Sequence, residues 1–460
     1  MSNRTTMRNF VVDRREIRDR WDPLSVLYHR QSLGSKYQCY TLGNLLLSRP
    51  QYGLSISGTE RKTSDQLRLI RITDIGQYGE LSAELGKTCD APIGSCLLED
   101  GDILIARSGN TVGKTFLYRK EIVGYECTFA SYLIRLKLDT TKIIPEYFLV
   151  YTFLRPYKEW IEATQRAIAQ PNINSAEIMK MLICLPPIEV QKQICQAYVQ
   201  VEKRRIAHQT ESSLLLKSID SEFCKESGIK ILPSNTVRSR MVLMREITGR
   251  MYSPHLILSQ AGWHSEKYPN AFLLEHVQVC RRITIPLSDD TEVSYIPMED
   301  IDQNYGTYEG SRTGRVKNSR GYMTFKEGDL LWARISPCMQ NGKSMIAEGL
   351  KNGYGYGSTE FLVMESDETL HIKYLLAFLR LKIVREAASF YFSGAAGQQR
   401  VDNVFFSQIT IPILPREKQN ALVEQLQKKQ KQSIAERNEA ENVIRAFLLE
   451  TMHTLGLSAD

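Results

Sequence analysis

The stretch 101-GDILIARSGNTVGKTFLY-118 looks at first like a phosphate-binding loop. Its spacing excludes that. A P-loop needs Gly, four residues, then Gly-Lys-Ser/Thr, because its backbone N–H groups must wrap a phosphate. Only three residues separate Gly109 from Gly113. A P-loop also opens a helix whose N-terminus helps hold the phosphate. Here the following FLYRKEIV is aromatic and β-branched, which predicts another strand. The stretch therefore reads as a strand, an arginine at the strand end, and a polar loop.

The same phrase returns at 328-GDLLWARISPCMQNGKSMIA-347, with Pro337 where a P-loop would need its first Gly. Arg107 answers Arg334 at an offset of 227. Pro187 in LPPIEVQKQI answers Pro415 in ILPREKQNAL, and Gln191 answers Gln419, both at 228. Pro23 answers Pro254 at 231. Between these, RLIRITDIGQYGEL answers SYIPMEDIDQNYGTY, and IIPEYFLVYTFLRPYKEWIEA answers LHIKYLLAFLRLKIVREAASF. The order is kept from end to end, so one unit is used twice. A period this long predicts two tandem domains rather than a solenoid. The copies differ most in loops 50–66 and 303–322.

Bulk properties set the class. A chain of 460 residues is long enough for two or three domains, each with its own core. Its 42% hydrophobic and 24% charged residues are ordinary for a globular protein. No apolar run approaches the roughly 20 residues of a membrane span, so no membrane partner is expected. The N-terminus, MSNRTTMRNFVVDRREIRDR, has no apolar signal-peptide core. Nine cysteines without a C-x-x-C pair argue against zinc and fit reduced thiols in a cytoplasm. The formal charge of +7 is compatible with nucleic acid without demanding it.

The predicted fold class is α+β. Globular domains are expected at 10–185 and 238–413, a central long helix within 186–228, and a C-terminal long helix within 414–453. LRLIRITDI, DILIAR and SYLIRLKL read as strands, and IPEYFLVYTFLRPYKEWIEA as one amphipathic helix. Its stripe of Phe148, Tyr151, Phe153, Leu154 and Trp160 is expected in the core. Each long helix begins with Pro and then Glu, a good helix start. Ile194, Tyr198, Val201, Leu215, Ile219 and Phe223 give the first an apolar seam. Leu422, Leu426, Ile444, Phe447, Leu448 and Met452 give the second another. A helix of 37 residues spans about 55 Å, too long to bury its seam on one domain. The expected solution is an antiparallel coiled coil of the two helices, with the domains held apart at its ends.

Two similar but non-identical domains suit a bipartite target such as duplex DNA. The phrases GDILIARSG, AIAQPNINSAEI and LPPIEVQKQI, with their second copies, resemble the specificity (S) subunit of type I restriction–modification systems. The resemblance covers nearly the whole chain. It implies two tandem target-recognition domains, each followed by a long helix, and an asymmetric bipartite double-stranded DNA site. It implies a non-catalytic chain that assembles with two methyltransferase (M) subunits, and with restriction/translocase (R) subunits where these exist. It places S-adenosylmethionine on the M partner and no cofactor in this chain. Two departures stand out. The second copy has Arg334-Ile335-Ser336 for RSG, and GAAGQQRVDN for RAIAQPNIN.

Arg107 and Arg334 are the leading candidates for DNA contact, because the planar guanidinium fork matches base edges and phosphates. The alternative is a structural salt bridge to Asp102 or Asp329. Ser108 and Ser336 follow them in the loops. Lys114 and Lys343 are candidate phosphate contacts, or solvated surface lysines. Gln398, Gln399 and Arg400, flanked by glycines, suit base edges, as do Gln170, Asn172 and Asn174 in the first copy. Asn174 could instead cap the next helix. The variable loops add Arg61, Lys62, Arg68, Arg312, Arg315, Lys317 and Arg320 as exposed cations, some of them for the DNA backbone. The seven histidines show no ligand spacing, so no metal site is expected. No Asn/Asp-Pro-Pro-aromatic, G-x-G-x-x-G or H-E-x-x-H motif is present, so no catalytic residue is assigned. A purely helical scaffold and a stand-alone DNA-modifying enzyme are the alternative functions.

Overall fold

The computed structural model describes residues 34–90, 94–164, 172–231, 263–279, 282–308, 310–394 and 398–457. The chain mixes helix and strand, as expected for α+β. It divides into two compact units, 1–207 with 439–460, and 208–438. The division falls inside both long helices, Ile188–Ser227 and Arg416–Leu455, so each helix gives one half to each unit.

Unit 1 contains two four-stranded sheets. One has the antiparallel neighbour order Gln51–Tyr52, Leu133–Leu136, Ile103–Ala106, Thr115–Leu117. Its central strands are buried throughout, and their side chains alternate between two cores. Ile103 and Ile105 face Tyr147, Phe148, Trp160 and the long-helix residues Ile194, Tyr198, Ile444 and Phe447. Leu104 and Ala106 face Ile70, Phe116 and Phe129. The second sheet has the order Thr59–Glu60, Lys87–Thr88, Arg68–Ile70, Cys127–Phe129, its last pair parallel.

Unit 2 repeats this plan. Val277–Val279, Phe361–Ser366, Leu330–Ala333 and Ser344–Ile346 form the antiparallel sheet. The second sheet runs Thr313–Arg315, Glu292–Ile296, Tyr354–Gly357, Met323–Lys326, with a parallel pair at Glu292–Ile296 and Tyr354–Gly357. Three strands of this sheet match those of unit 1, but the fourth is added at the opposite edge. The extra strand in unit 1, Thr59–Glu60, lies in the loop region where the two copies diverge most.

Two repeated motifs have local causes. Gly101 and Gly328 take φ of +90° and +86°, which only glycine adopts without strain. The Asp after each closes the turn: Asp102 Oδ2 accepts from Glu99 N at 2.8 Å, and Asp329 Oδ2 from Lys326 N at 2.8 Å. Gln191 and Gln419 are fully buried at the starts of the long helices. Gln191 accepts from Ile144 N at 2.9 Å and donates to the Lys142 and Pro186 carbonyls. Gln419 accepts from His371 N at 2.8 Å and donates to the Thr369 and Leu414 carbonyls. Each glutamine thus ties its long helix to the loop before the amphipathic helices.

Two expectations need correction. The single helix over IPEYFLVYTFLRPYKEWIEA is two, Pro145–Tyr151 and Arg155–Thr164. Pro156 has no N–H to give back to Thr152 and fits only a helix start. The aromatic stripe is buried as expected. The long helices also do bury seam residues on the domains. Ile194, Tyr198, Ile444, Phe447 and Met452 join the main core of unit 1, and Phe223, Leu422 and Leu426 that of unit 2. Half a helix per unit is short enough for its seam to be covered. Within unit 1 the Tyr198 and Phe447 rings lie 5.8 Å apart. Within unit 2 Ser212 meets Ser433 and Glu222 meets Lys429, so the two helix halves there run antiparallel.

Candidate nucleic-acid interface

In unit 1, Arg107 directly follows the buried strand Ile103–Ala106, whose neighbours fix its backbone. Its N–H bonds the Tyr132 carbonyl at 3.0 Å, and its own carbonyl accepts from Ile173 N at 2.9 Å. Ser108 pairs with Asn172 across an isolated bridge, which brings these two candidates together. Arg107 Nε donates to Asn172 Oδ1 at 3.3 Å, and the guanidinium lies over the Tyr52 ring at 4.8 Å. Tyr52 in turn accepts from Ser175 N at 3.1 Å. Asp102 takes no part, for it is buried against Arg135 at 3.4 Å. Burial pushes the Asp102 carboxyl above its usual range despite the Glu99 N–H and Arg135. Asn174 caps the helix Ser175–Met179 in a reciprocal pair with Glu177. Gln170 lies outside the described residues.

In unit 2 the same backbone frame carries different side chains. Arg334 N bonds the Glu360 carbonyl at 3.0 Å, and Val401 N bonds the Arg334 carbonyl at 2.9 Å. Ile335 pairs with Arg400 as Ser108 pairs with Asn172. Arg334 Nε reaches Glu360 Oε2 at 3.4 Å, so its ion pair is with Glu360 rather than Asp329. Arg400 grips the same carboxylate, with Nη2 at 2.7 Å from Oε1 and Nε at 2.9 Å from Oε2. The Arg400 hydrogen bond, opposed by burial, holds the Glu360 carboxyl below its ordinary range. Gln399 gives its carbonyl to Ser336 N at 2.8 Å, and the exposed Gln398 gives its own to Arg400 Nη1 at 3.2 Å. Ser336 Oγ donates to Gln340 Oε1 at 2.9 Å.

Both candidate lysines are half-buried and bonded to backbone. Lys114 Nζ donates to the Ile75 carbonyl at 3.2 Å, and Lys343 Nζ to the Met298 carbonyl at 2.7 Å. Each ammonium thereby links the loop after the arginine to the turn that follows the parallel strand of the other sheet.

The basic loops differ from expectation. Arg61 is only 4% exposed. Its guanidinium donates to the Gln66 carbonyl at 2.8 Å, to Leu85 at 3.2 Å and to Ser64, and lies over the Tyr125 ring at 4.0 Å. Arg68 is likewise buried, bonding Tyr125 Oη at 2.8 Å and the Ser82 carbonyl at 3.0 Å. Both arginines satisfy carbonyls of the loops around 64–66 and 82–85, which no strand pairing reaches. Lys62 is exposed. Arg312 pairs with Asp300 at 2.9 Å, and Arg315 and Lys317 with Asp290 at 3.2 and 2.8 Å. Arg320 lies 3.6 Å from Asp289. These unit 2 cations are exposed and each is ion-paired with a carboxylate, Arg315 and Lys317 sharing Asp290.

Sequence reasoning missed Tyr52, Tyr132 and Glu360. Tyr132, 59% exposed, and Glu360 occupy the position just before the strand that pairs with each arginine strand. The repeat alignment carries that signal, since SYLIRLKL and EFLVMESD are both strands entered from this residue. Among the described residues, no cluster of three His, Cys, Asp or Glu is arranged to hold a metal, and no helix is long and apolar enough to cross a membrane.

Comparison with known proteins bears on this arrangement. Residues 89–216 match the family model described as type I restriction modification DNA specificity domain. The specificity subunit of the Escherichia coli type I restriction enzyme EcoAI is 35% identical over 145 residues, 30% of this chain and 24% of that protein. That of EcoEI, also from Escherichia coli, is 34% identical over 139 residues, 29% of this chain and 23% of that protein. The match thus spans about a quarter of the length of these relatives. Among solved structures, the HsdS subunit from Thermoanaerobacter tengcongensis covers 90% of this chain, and 95% of its own, at 14% identity with a TM-score of 0.32. The type I restriction–modification S subunit from M. genitalium covers 91% of this chain, and 96% of its own, at 11% identity and 0.41. The matched segment contains the first strand–arginine–loop element and the start of the central helix. Residues 89–216 are thus similar to the type I restriction modification DNA specificity domain.

Proposed function

We propose that this chain is the DNA sequence-specificity subunit of a type I restriction–modification complex. The observation that carries the reading is the duplicated strand–arginine–loop element, built on matching sheets in both units, in a chain whose residues 89–216 match a DNA specificity domain. Each unit reads one half of an asymmetric bipartite site, through Arg107 in one and Arg334 with Arg400 in the other. Arginine is the residue best suited to both base edges and phosphates. The long helices carry off-seam apolar side chains, of which Leu214 is 55% exposed, and these suit a protein partner. Two M subunits are the proposed partners, with R subunits where the system has them. Chemistry belongs to those chains, and S-adenosylmethionine binds the M subunit.

The test is to map methylated adenines in cells carrying this chain with its M partner. One bipartite motif should appear that is absent without the chain. Exchanging residues 10–185 for the corresponding domain of a relative should change one half of that motif and leave the other. A motif that changes in both halves, or in neither, defeats the two-reader assignment. A 2:1 complex of M with this chain should elute from size-exclusion chromatography after co-expression.

A further inference from the structure

The two candidate reading ends share a backbone frame but not a charge arrangement. Arg400 occupies the place of Asn172, because each pairs with the residue after the strand-end arginine. Glu360 occupies the place of Tyr132, because each gives its carbonyl to that arginine's N–H. Arg107 and its neighbours carry one formal positive charge. Arg334 and Arg400 against Glu360 also leave one. The ends therefore differ in the number and placement of guanidinium groups, not in net charge.

We propose that Glu360 is a positioning residue that fixes Arg334 and Arg400 as a pair of guanidinium forks, and that this pair reads guanine edges in the half-site bound by unit 2. The inference rests on the DNA-reading function proposed above. Arg334 approaches Glu360 through Nε, and Arg400 through Nε and one hydrogen of Nη2. Such an approach leaves the Nη1/Nη2 end of each guanidinium to face a target, although Arg400 Nη1 also reaches the Gln398 carbonyl. A guanine presents O6 and N7 in the major groove, the acceptor pair that matches one fork. A carboxylate at a DNA surface repels phosphate, so Glu360 is unfavourable there unless it does something else. Holding two long side chains in one geometry removes ordering cost at binding. Glu360 is itself fixed: its N–H bonds Ser358 Oγ at 3.2 Å, its carbonyl holds Arg334 N, and its side chain is 17% exposed. Unit 1 has no such carboxylate among these residues. Arg107 rests on Tyr52 with one neutral acceptor, which predicts a single fork for its half-site.

The experiment compares wild type with Glu360→Gln, each assembled with the M partner. Binding is measured over a range of salt to three duplexes: the cognate site, the site scrambled in the unit 2 half, and the site scrambled in the unit 1 half. Glu360→Gln removes one negative charge. If Glu360 merely neutralises, all three duplexes bind more tightly and the salt slope steepens by about one. If Glu360 positions the arginines, cognate binding falls by about tenfold or more, while binding to the duplex scrambled in the unit 2 half is unchanged or tighter. The loss should be non-additive with that of Arg400→Ala. It should vanish when 7-deazaguanine replaces guanine in the unit 2 half-site, because N7 is then gone. Should Glu360→Gln unfold, Glu360→Asp keeps the charge, shortens the reach, and must show the same half-specific loss. A wild-type complex with no sequence preference overturns the DNA-reading function itself. A wild type with preference, and a variant that keeps it or tightens on all three duplexes alike, overturns only the role of Glu360.

Discussion

The hydroxyls of Ser212 and Ser433 lie 2.9 Å apart, one on each long helix, inside unit 2. Each hydroxyl also donates to the carbonyl of the other serine at 2.9 Å, and Tyr305 Oη sits 3.1 Å from Ser433 Oγ. Both serines are buried. Their small size lets the helix backbones approach, and each hydroxyl proton finds a carbonyl on the facing helix. Ser433→Ala should cost about 1–2 kcal/mol by removing the donor to the Ser212 carbonyl and the nearer partner of the Tyr305 hydroxyl. Ser433→Leu should cost more, because no space exists for its branches. Urea unfolding of both variants measures the order.

Arg107 is expected to act as a fork rather than as a point charge, since Tyr52 and Asn172 orient its plane. Arg107→Ala should weaken binding at one half-site by about 1–3 kcal/mol and relax its sequence preference. Arg107→Lys keeps the charge but not the fork, so it should restore little. Equal rescue by lysine, with a uniform loss over all sequences, would assign Arg107 to phosphate alone. Competition binding against a library of half-sites separates the two.

Arg61 and Arg315 should behave in opposite ways. Arg61→Ala removes a buried guanidinium that satisfies three carbonyls, and should cost about 2–3 kcal/mol of stability. Arg315 is half-exposed and paired with an exposed Asp290, so Arg315→Ala should change stability by less than about 0.5 kcal/mol. Thermal unfolding of the two variants tests this, and a larger loss at Arg315 would contradict the burial assigned here.

The cluster around Glu360 also predicts a pH dependence. Its carboxyl is held below the ordinary range in the folded chain, chiefly by Arg400. A depressed acid contributes stability that is present above its unfolded pKa of about 4.3 and is lost as pH falls through the folded value. The stability difference between wild type and Glu360→Gln should therefore be flat from pH 5 to 8 and move toward the Gln variant's favour below about pH 4. Chemical denaturation at several pH values reads the difference directly.

Much of this protein was set by neighbours in sequence. The turn at Gly101-Asp102 and its copy at Gly328-Asp329 follow from a positive φ and a carboxylate one residue on. The starts of Ile188–Ser227 and Arg416–Leu455 follow from proline and glutamate in the first turn, and the repeat itself from order in the chain. Helical period and strand alternation are local, so they could be read without a structure. Tertiary structure alone decided which cations are available. Arg61 looks like a loop cation, yet the Leu85 carbonyl, 24 residues away, helps to bury it. Arg334 and Arg400 become a pair only because Glu360, 26 and 40 residues distant, reaches both. Tyr52 underlies Arg107 through an edge strand far from it in the chain. Burying a charge, or sharing a carboxylate, depends on which distant segments pack together, and no period or spacing in the sequence records that.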